Sequence, residues 1–149
     1  MSNEQTQAIP AAFRLLNFKI QETHLTYADE SAKEEGHVSY NIDFSPSGRL
    51  SRAQGQFVLL LSIKITSTPD TFNAQLVGRG LFAFNTELPG DQLDKLLALN
   101  STAMVFPYVR AYISGLTALS GYPTITIPTY NLAALAEPLR SAIVEVDTL

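Results

Sequence analysis

Few side chains in this 149-residue chain could perform chemistry, and their types and spacing exclude most of it. There are only two histidines, His24 and His37, and they stand on separate expected strands, so a paired metal site is not expected. Cysteine is absent, which removes disulfides, thiolate nucleophiles, CxxC redox motifs and Cys-ligated zinc together. Serine is plentiful, yet no Gly-x-Ser-x-Gly elbow exists, and two isolated histidines leave no nucleophile and base to pair. Gly78-Arg79-Gly80 is not followed by the helix start that a phosphate-cradling loop needs. Glu87, Asp91 and Asp94 gather just before an expected helix, where carboxylates complement the helix dipole. A carboxylate-based site laid along a sheet is the one catalytic alternative that this cluster offers. No catalytic residue, no metal and no cofactor is expected.

What remains is apolar surface. Hydrophobic residues make up 46% of the chain, but Asp, Glu, Lys and Arg reach only 16%, against about 25% in a typical globular domain. A surface so short of charge points to coverage by another subunit, and so to self-association. Net charge is −4 and the basic residues are scattered singly, so a nucleic-acid partner is not expected. The polar opening Met1 to Gln7 precedes no signal-like apolar core. The longest strongly apolar run, Phe57 to Leu61, is far too short to span a bilayer. A cytoplasmic protein without membrane insertion is expected, in which the Asn100-Ser101-Thr102 sequon is incidental. The length fits one domain over residues 1–149.

The elements that must position this surface fall into two halves, strands first and helices after, which is the pattern of an α+β domain. From Phe13 to Tyr27 the apolar positions switch parity, so a long strand carries a bulge near Glu22-Thr23. Val38, Tyr40, Ile42 and Phe44 alternate with polar residues in a second strand that is expected to end at Pro46-Ser47-Gly48. Between these two strands, Glu34-Glu35 reads as part of a solvated loop. Gln56 to Thr66 and Phe72 to Asn85 supply two more strands, joined through Thr68-Pro69-Asp70. Gly78 and Gly80 share one face, where a helix or another backbone can approach closely.

Asp91 and Asp94 resemble a capping box for a helix through Leu99, which Asn100-Ser101-Thr102 interrupts. A second helical stretch from about Ala103 to Leu119 has an apolar stripe wider than one sheet needs, leaving Tyr108 and Tyr112 to contact a second subunit. Gly121 stops it, and Tyr122-Pro123-Thr124-Ile125-Thr126-Ile127-Pro128 must be extended. Asn131 caps a short terminal helix. The extended segment, with Tyr130, Leu132 and Leu135 behind it, either walls a groove for extended apolar peptide or packs onto its own core.

Phe106-Pro107-Tyr108-Val109-Arg110, then Gly121-Tyr122-Pro123, then Ile127-Pro128 and Asn131-Leu132-x-Ala134-Leu135 resemble, in order and spacing, the SecB family of export chaperones. The resemblance implies a four-stranded antiparallel sheet followed by a long helix and a short C-terminal helix, assembled as a dimer of dimers. It implies a holdase for unfolded or precursor polypeptides, with no catalysis. Carried over, Ala74, Leu76 and Gly78 with the long helix would lie in subunit interfaces, and Tyr122, Ile125, Ile127, Tyr130, Leu132 and Leu135 would border the client groove. Members that dock the SecA-type translocase motor use acids on the outer sheet face. Glu22 keeps one such position, whereas Thr26 and Gln75 stand where acids are expected. The terminal run from Ala142 to Asp147 is more apolar than the family's tail, and Leu132 replaces an aromatic. A SecB-like module serving one partner, such as a toxin–antitoxin component, is the alternative.

Overall fold

The computed structural model describes residues 11–28 and 38–149; His37, Glu34-Glu35 and the opening Met1 to Gln7 lie outside the described residues. The chain forms β1 (Phe13–Tyr27), β2 (Ser39–Ser51), β3 (Gln56–Thr68), β4 (Phe72–Phe84), α1 (Gly90–Leu119), a 3-10 turn (Leu132–Leu135), α2 (Ala136–Ser141) and β5 (Ile143–Glu145). The sheet order is β1-β4-β3-β2-β5. The strands through β4 pair antiparallel, and β1 shifts register twice against β4, between Leu15 and Asn17 and between Ile20 and Glu22. The second shift is the bulge that the change of parity predicts.

Two strand expectations are corrected. Among the described residues the sheet has five strands, because the apolar tail pairs with β2 in parallel, Gly48 opposite Ile143 and Leu50 opposite Glu145. Its backbone is held by Val146 N–H donating to the Leu50 carbonyl at 2.8 Å. Secondly, β2 does not stop at Pro46 but runs on to Ser51. Gly48 N–H donates outward to the Ala142 carbonyl. Pro46, two residues earlier, has its missing N–H on that same side, before β5 begins, and the strand loses no ladder bond there.

One sheet face is apolar throughout. Phe57, Leu59, Leu61 and Ile65 on β3 and Ala74, Leu76 and Phe82 on β4 are almost fully buried, while their neighbours in sequence face outward. On this face α1 lies with Leu97, Val105, Val109 and Ile113 buried. A Cβ on Gly80 would come within 3.1 Å of Val105 Cγ1, so the glycine admits the helix, as its place in the pattern suggests. Gly78 is covered differently, by the ring of Phe18 from the neighbouring strand.

The long helix is also a correction, since one continuous α1 replaces two helical stretches. Ser101 and Thr102 are fully buried against the sheet side, and Ser101 Oγ donates to the Leu97 carbonyl at 2.6 Å, so residues that read as a break are absorbed. Pro107 lies inside the helix on its exposed side. The expected capping box does not form. Pro89 occupies the N-cap without a side-chain bond, and Asp94 instead pairs with Arg52, which also holds Glu145 of β5. Among the described residues no helix is long and apolar enough to cross a membrane.

Among the described glycines the least room is at Gly48, where an added Cβ would lie within 2.6 Å of the Phe57 ring, and Phe57 has no exposed surface through which to move. Gly48→Ala is therefore expected to cost roughly 1–3 kcal/mol or more by overpacking. That is a fall of several degrees in the thermal unfolding midpoint; an unchanged midpoint would show that the ring relocates freely.

Candidate polypeptide-binding surface

The segment from Tyr122 to Tyr130 is extended but pairs with no strand among the described residues. Buried backbone groups must find partners somewhere. Here they come from side chains of α1, spaced so that they line one side of the helix: Arg110 Nε donates to the Ile127 carbonyl at 2.8 Å, and Ser114 Oγ donates to the Ile125 carbonyl at 3.1 Å. Thr117 Oγ1 accepts from Ile125 N–H at 2.9 Å while donating to the Ile113 carbonyl. The helix thus acts as a substitute strand partner. Gly121, at φ +83°, makes the reversal after α1 that an L side chain resists.

This ladder decides which side chains face where. Ile125 and Ile127 point inward and are 6% and 1% exposed, whereas Thr124, Thr126 and Pro128 point out. Leu132 is 7% exposed, since Asn131 accepts from Ala133 N–H and turns the chain into the core. These three residues, expected at the groove, thus join the buried core of the chain and are not on its exposed surface. Tyr122 and Tyr130 are well exposed, at 46% and 39%, and Leu135 is half-buried.

The residues expected at subunit interfaces are divided between core and surface. Ala74 and Leu76 are buried in the chain's own core, and Gly78 lies against the ring of Phe18. Tyr112 is half-buried and its hydroxyl shares a 2.7 Å hydrogen bond with Thr23 of β1. Tyr108 is 55% exposed. Glu22 stands exposed on the outer sheet face, in the cross-strand row of Val77, Ser62 and Ser45. Sequence reading missed Arg110, Ser114 and Thr117 as positioning residues; the signal available was polar side chains recurring within a helix followed by a proline-bounded extended run.

Two aromatic clusters flank the buried isoleucines. In one, Tyr27 stacks on Tyr122 with ring centroids 3.6 Å apart, and Phe72 packs against Tyr27 and Tyr40. In the other, Phe44, Phe106 and Tyr130 meet edge to face, with centroids 5.7–6.2 Å apart. Burial pushes the Tyr27 phenol above its ordinary value, and the neighbouring Tyr40 and Tyr122 add to the shift. Ile42 of β2 lies between the clusters, on the same face as Tyr40 and Phe44. Beside the second cluster a cleft of about 450 Å³ opens between α1 and the chain around Tyr130, lined by Leu99, Ala103, Phe106 and Pro107. The arrangement offers rings and alkyl groups with few charges, and among the described residues it has no group of three metal-ligating side chains.

The ladder can be tested with two threonines that are equally buried. Thr117→Val removes the acceptor for Ile125 N–H and is expected to cost about 1–3 kcal/mol. Thr102 Oγ1 has no partner among the described residues, so Thr102→Val should be neutral or stabilising. Denaturant titration compares them, and equal losses would remove Thr117 from its positioning role.

The model of the family described as preprotein translocase subunit SecB matches residues 16–139. The chain is 27% identical over 101 residues to the protein-export protein SecB of Zymomonas mobilis, covering 66% of this chain and 58% of that protein. It is 22% identical over 136 residues to the SecB of Chromobacterium violaceum, covering 88% of this chain and 89% of the other. It thus spans less than two thirds of the first of these relatives and most of the second. Among solved structures, the SecB-like chaperone of Mycobacterium tuberculosis, in complex with a ChAD peptide from an antitoxin, superposes with a TM-score of 0.66 at 19% identity, over 80% of this chain and 91% of that one. The sheet, the long helix and the short C-terminal helix are those of that fold, and with a family match over most of its length this chain belongs to the SecB family.

Proposed function

We propose that the chain is a cytoplasmic molecular chaperone, a holdase that captures unfolded or precursor polypeptides for export and catalyses nothing. The observation that carries this reading is the row of partly exposed rings, Tyr40 and Phe44 on β2 and Tyr122 and Tyr130 on the held segment, with Ile42 and Leu135 alongside. Rings set on a rigid backbone bury apolar side chains of many shapes at little entropic cost. Few fixed hydrogen-bonding groups stand among them, so such a surface selects for exposed apolar residues and extended chain rather than for one sequence. The client boundary therefore passes through Tyr122, Tyr130 and Leu135, with Ile125, Ile127 and Leu132 supporting it from below.

Replacing Tyr122 and Tyr130 together with Ser removes ring area that would bury client side chains at about 25 cal/mol per Å². Capture of a slowly refolding protein should weaken by about tenfold, corresponding to about 1.4 kcal/mol. Aggregation suppression measures this, and full suppression by the double variant would reject the surface. Trials on several unrelated unfolded proteins also separate the second reading, a module dedicated to one partner. That reading is favoured by Thr26 and Gln75 at outer-face positions where motor docking calls for acids, and by the antitoxin peptide held by the Mycobacterium tuberculosis relative. A module of that kind would protect a single client.

Self-association follows from α1. Its outward side carries Leu99, Ala103, Pro107, Tyr108, Ala111 and Gly115, and between Asn100 and Leu119 the only charged residue is Arg110, which is committed to Ile127. A helix side that small and that free of charge suits a second copy, as in a dimer of dimers. Ala111→Arg would bury a charge there without a partner, at a cost of several kcal/mol. Light scattering at micromolar concentration should show the mass fall with helix content retained; an unchanged mass places the interface elsewhere.

A further inference from the structure

The sheet face turned away from α1 is split along its length by charge. Strand register puts Arg14, Arg49, Lys19 and Arg79 in three successive cross-strand rows at one end, with Lys19 directly opposite Arg79. No carboxylate lies in those rows. The other end carries Glu22, Asp43 and Lys64. In a chain of net charge −4, four of the ten basic residues thus share one half of one face. Among the described residues none of the four pairs with a carboxylate, whereas Arg52 and Arg140 do. Like charges held directly opposite on neighbouring strands destabilise the free protein, a cost that an incoming anion relieves.

Between these cations lie apolar side chains. Partly exposed Leu81 and buried Val58 occupy the middle row and Leu60 the next, and Val144 of β5, 59% exposed, extends the middle row past Arg49. Four strands about 4.8 Å apart put the strand of Arg14 roughly 14 Å from that of Arg49, a span of about four or five extended residues. We propose that this half-face docks an acidic, apolar polypeptide segment, its carboxylates on Arg14, Lys19, Arg49 and Arg79 and its alkyl side chains on Leu60, Leu81 and Val144. A nucleic acid fits less well, since the rows hold no aromatic ring on which a base could stack. The surface lies opposite the aromatic row, so both can be occupied at once.

Fluorescence anisotropy with three labelled probes tests this: a peptide alternating Glu and Leu, its Lys-for-Glu counterpart, and a single-stranded DNA oligomer of equal charge. The Glu/Leu peptide should bind at least tenfold tighter than either control and weaken as salt rises. R49E/R79E should lose at least tenfold of that binding while keeping its capture of unfolded client, and its unfolding midpoint should hold or rise, since R79E relieves the repulsion with Lys19. Should that variant fold poorly, R49Q/R79Q should show a smaller loss in the same direction. Equal binding of DNA, binding indifferent to the arginines, or loss in the Tyr122/Tyr130 variant instead would each overturn the assignment. A fall in oligomeric mass on arginine replacement would also overturn it, by giving the face to a second copy.

Discussion

Everything on the helix-covered side of the sheet depends on how the backbone around Ile125 and Ile127 is satisfied. An extended strand outside any sheet has carbonyls and amides that cannot be buried unpaired. Arg110, Ser114 and Thr117 meet that demand from one side of α1. Once they do, the alternation of an extended chain takes over: the isoleucines go inward and the flanking tyrosines are left at the surface. The aromatic row is therefore a consequence of a hydrogen-bond ladder on its other side.

The same segment explains why so much apolar surface coexists with a stable chain. Ile125, Ile127, Leu132 and Leu139 complete the core where α1 leaves β2 uncovered. Rings that only partly join that core are held in edge and stacked contacts, Phe44 and Tyr130 by each other, Tyr122 by Tyr27 and Tyr40 by Phe72. A surface built from rings that are half core and half solvent is positioned without being consumed by folding.

The C-terminal tail shows sequence composition acting on architecture. Its apolar Ile143, Val144 and Val146 suit a strand rather than a solvated tail, and β2 accepts it because Gly48 leaves the Ala142 carbonyl a donor and Phe57 room. Arg52 then ties β5 to α1 through Glu145 and Asp94, and its guanidinium is held more firmly protonated than usual by Glu145. The outer sheet face gains a fifth strand and, with Val144, an exposed apolar side chain beyond Arg49.

Local pattern was enough for much of this. Parity along β1 showed its bulge, the alternation of β3 and β4 showed their buried face, and the run from Phe106 to Leu135 carried the family. Those features are encoded in spacing of a few residues, which is the range over which side-chain periodicity acts. Tertiary structure alone decided that Asn100-Ser101-Thr102 continues a helix, that β2 passes through Pro46, and that Leu132 is core while Tyr130 is surface. Each of these turns on a partner far away in sequence: the sheet that buries Ser101, the edge that spares Pro46 a donor, the α1 side chains that orient the segment. The gathering of four scattered cations on one half-face was invisible for the same reason, since only strand register makes neighbours of Lys19 and Arg79.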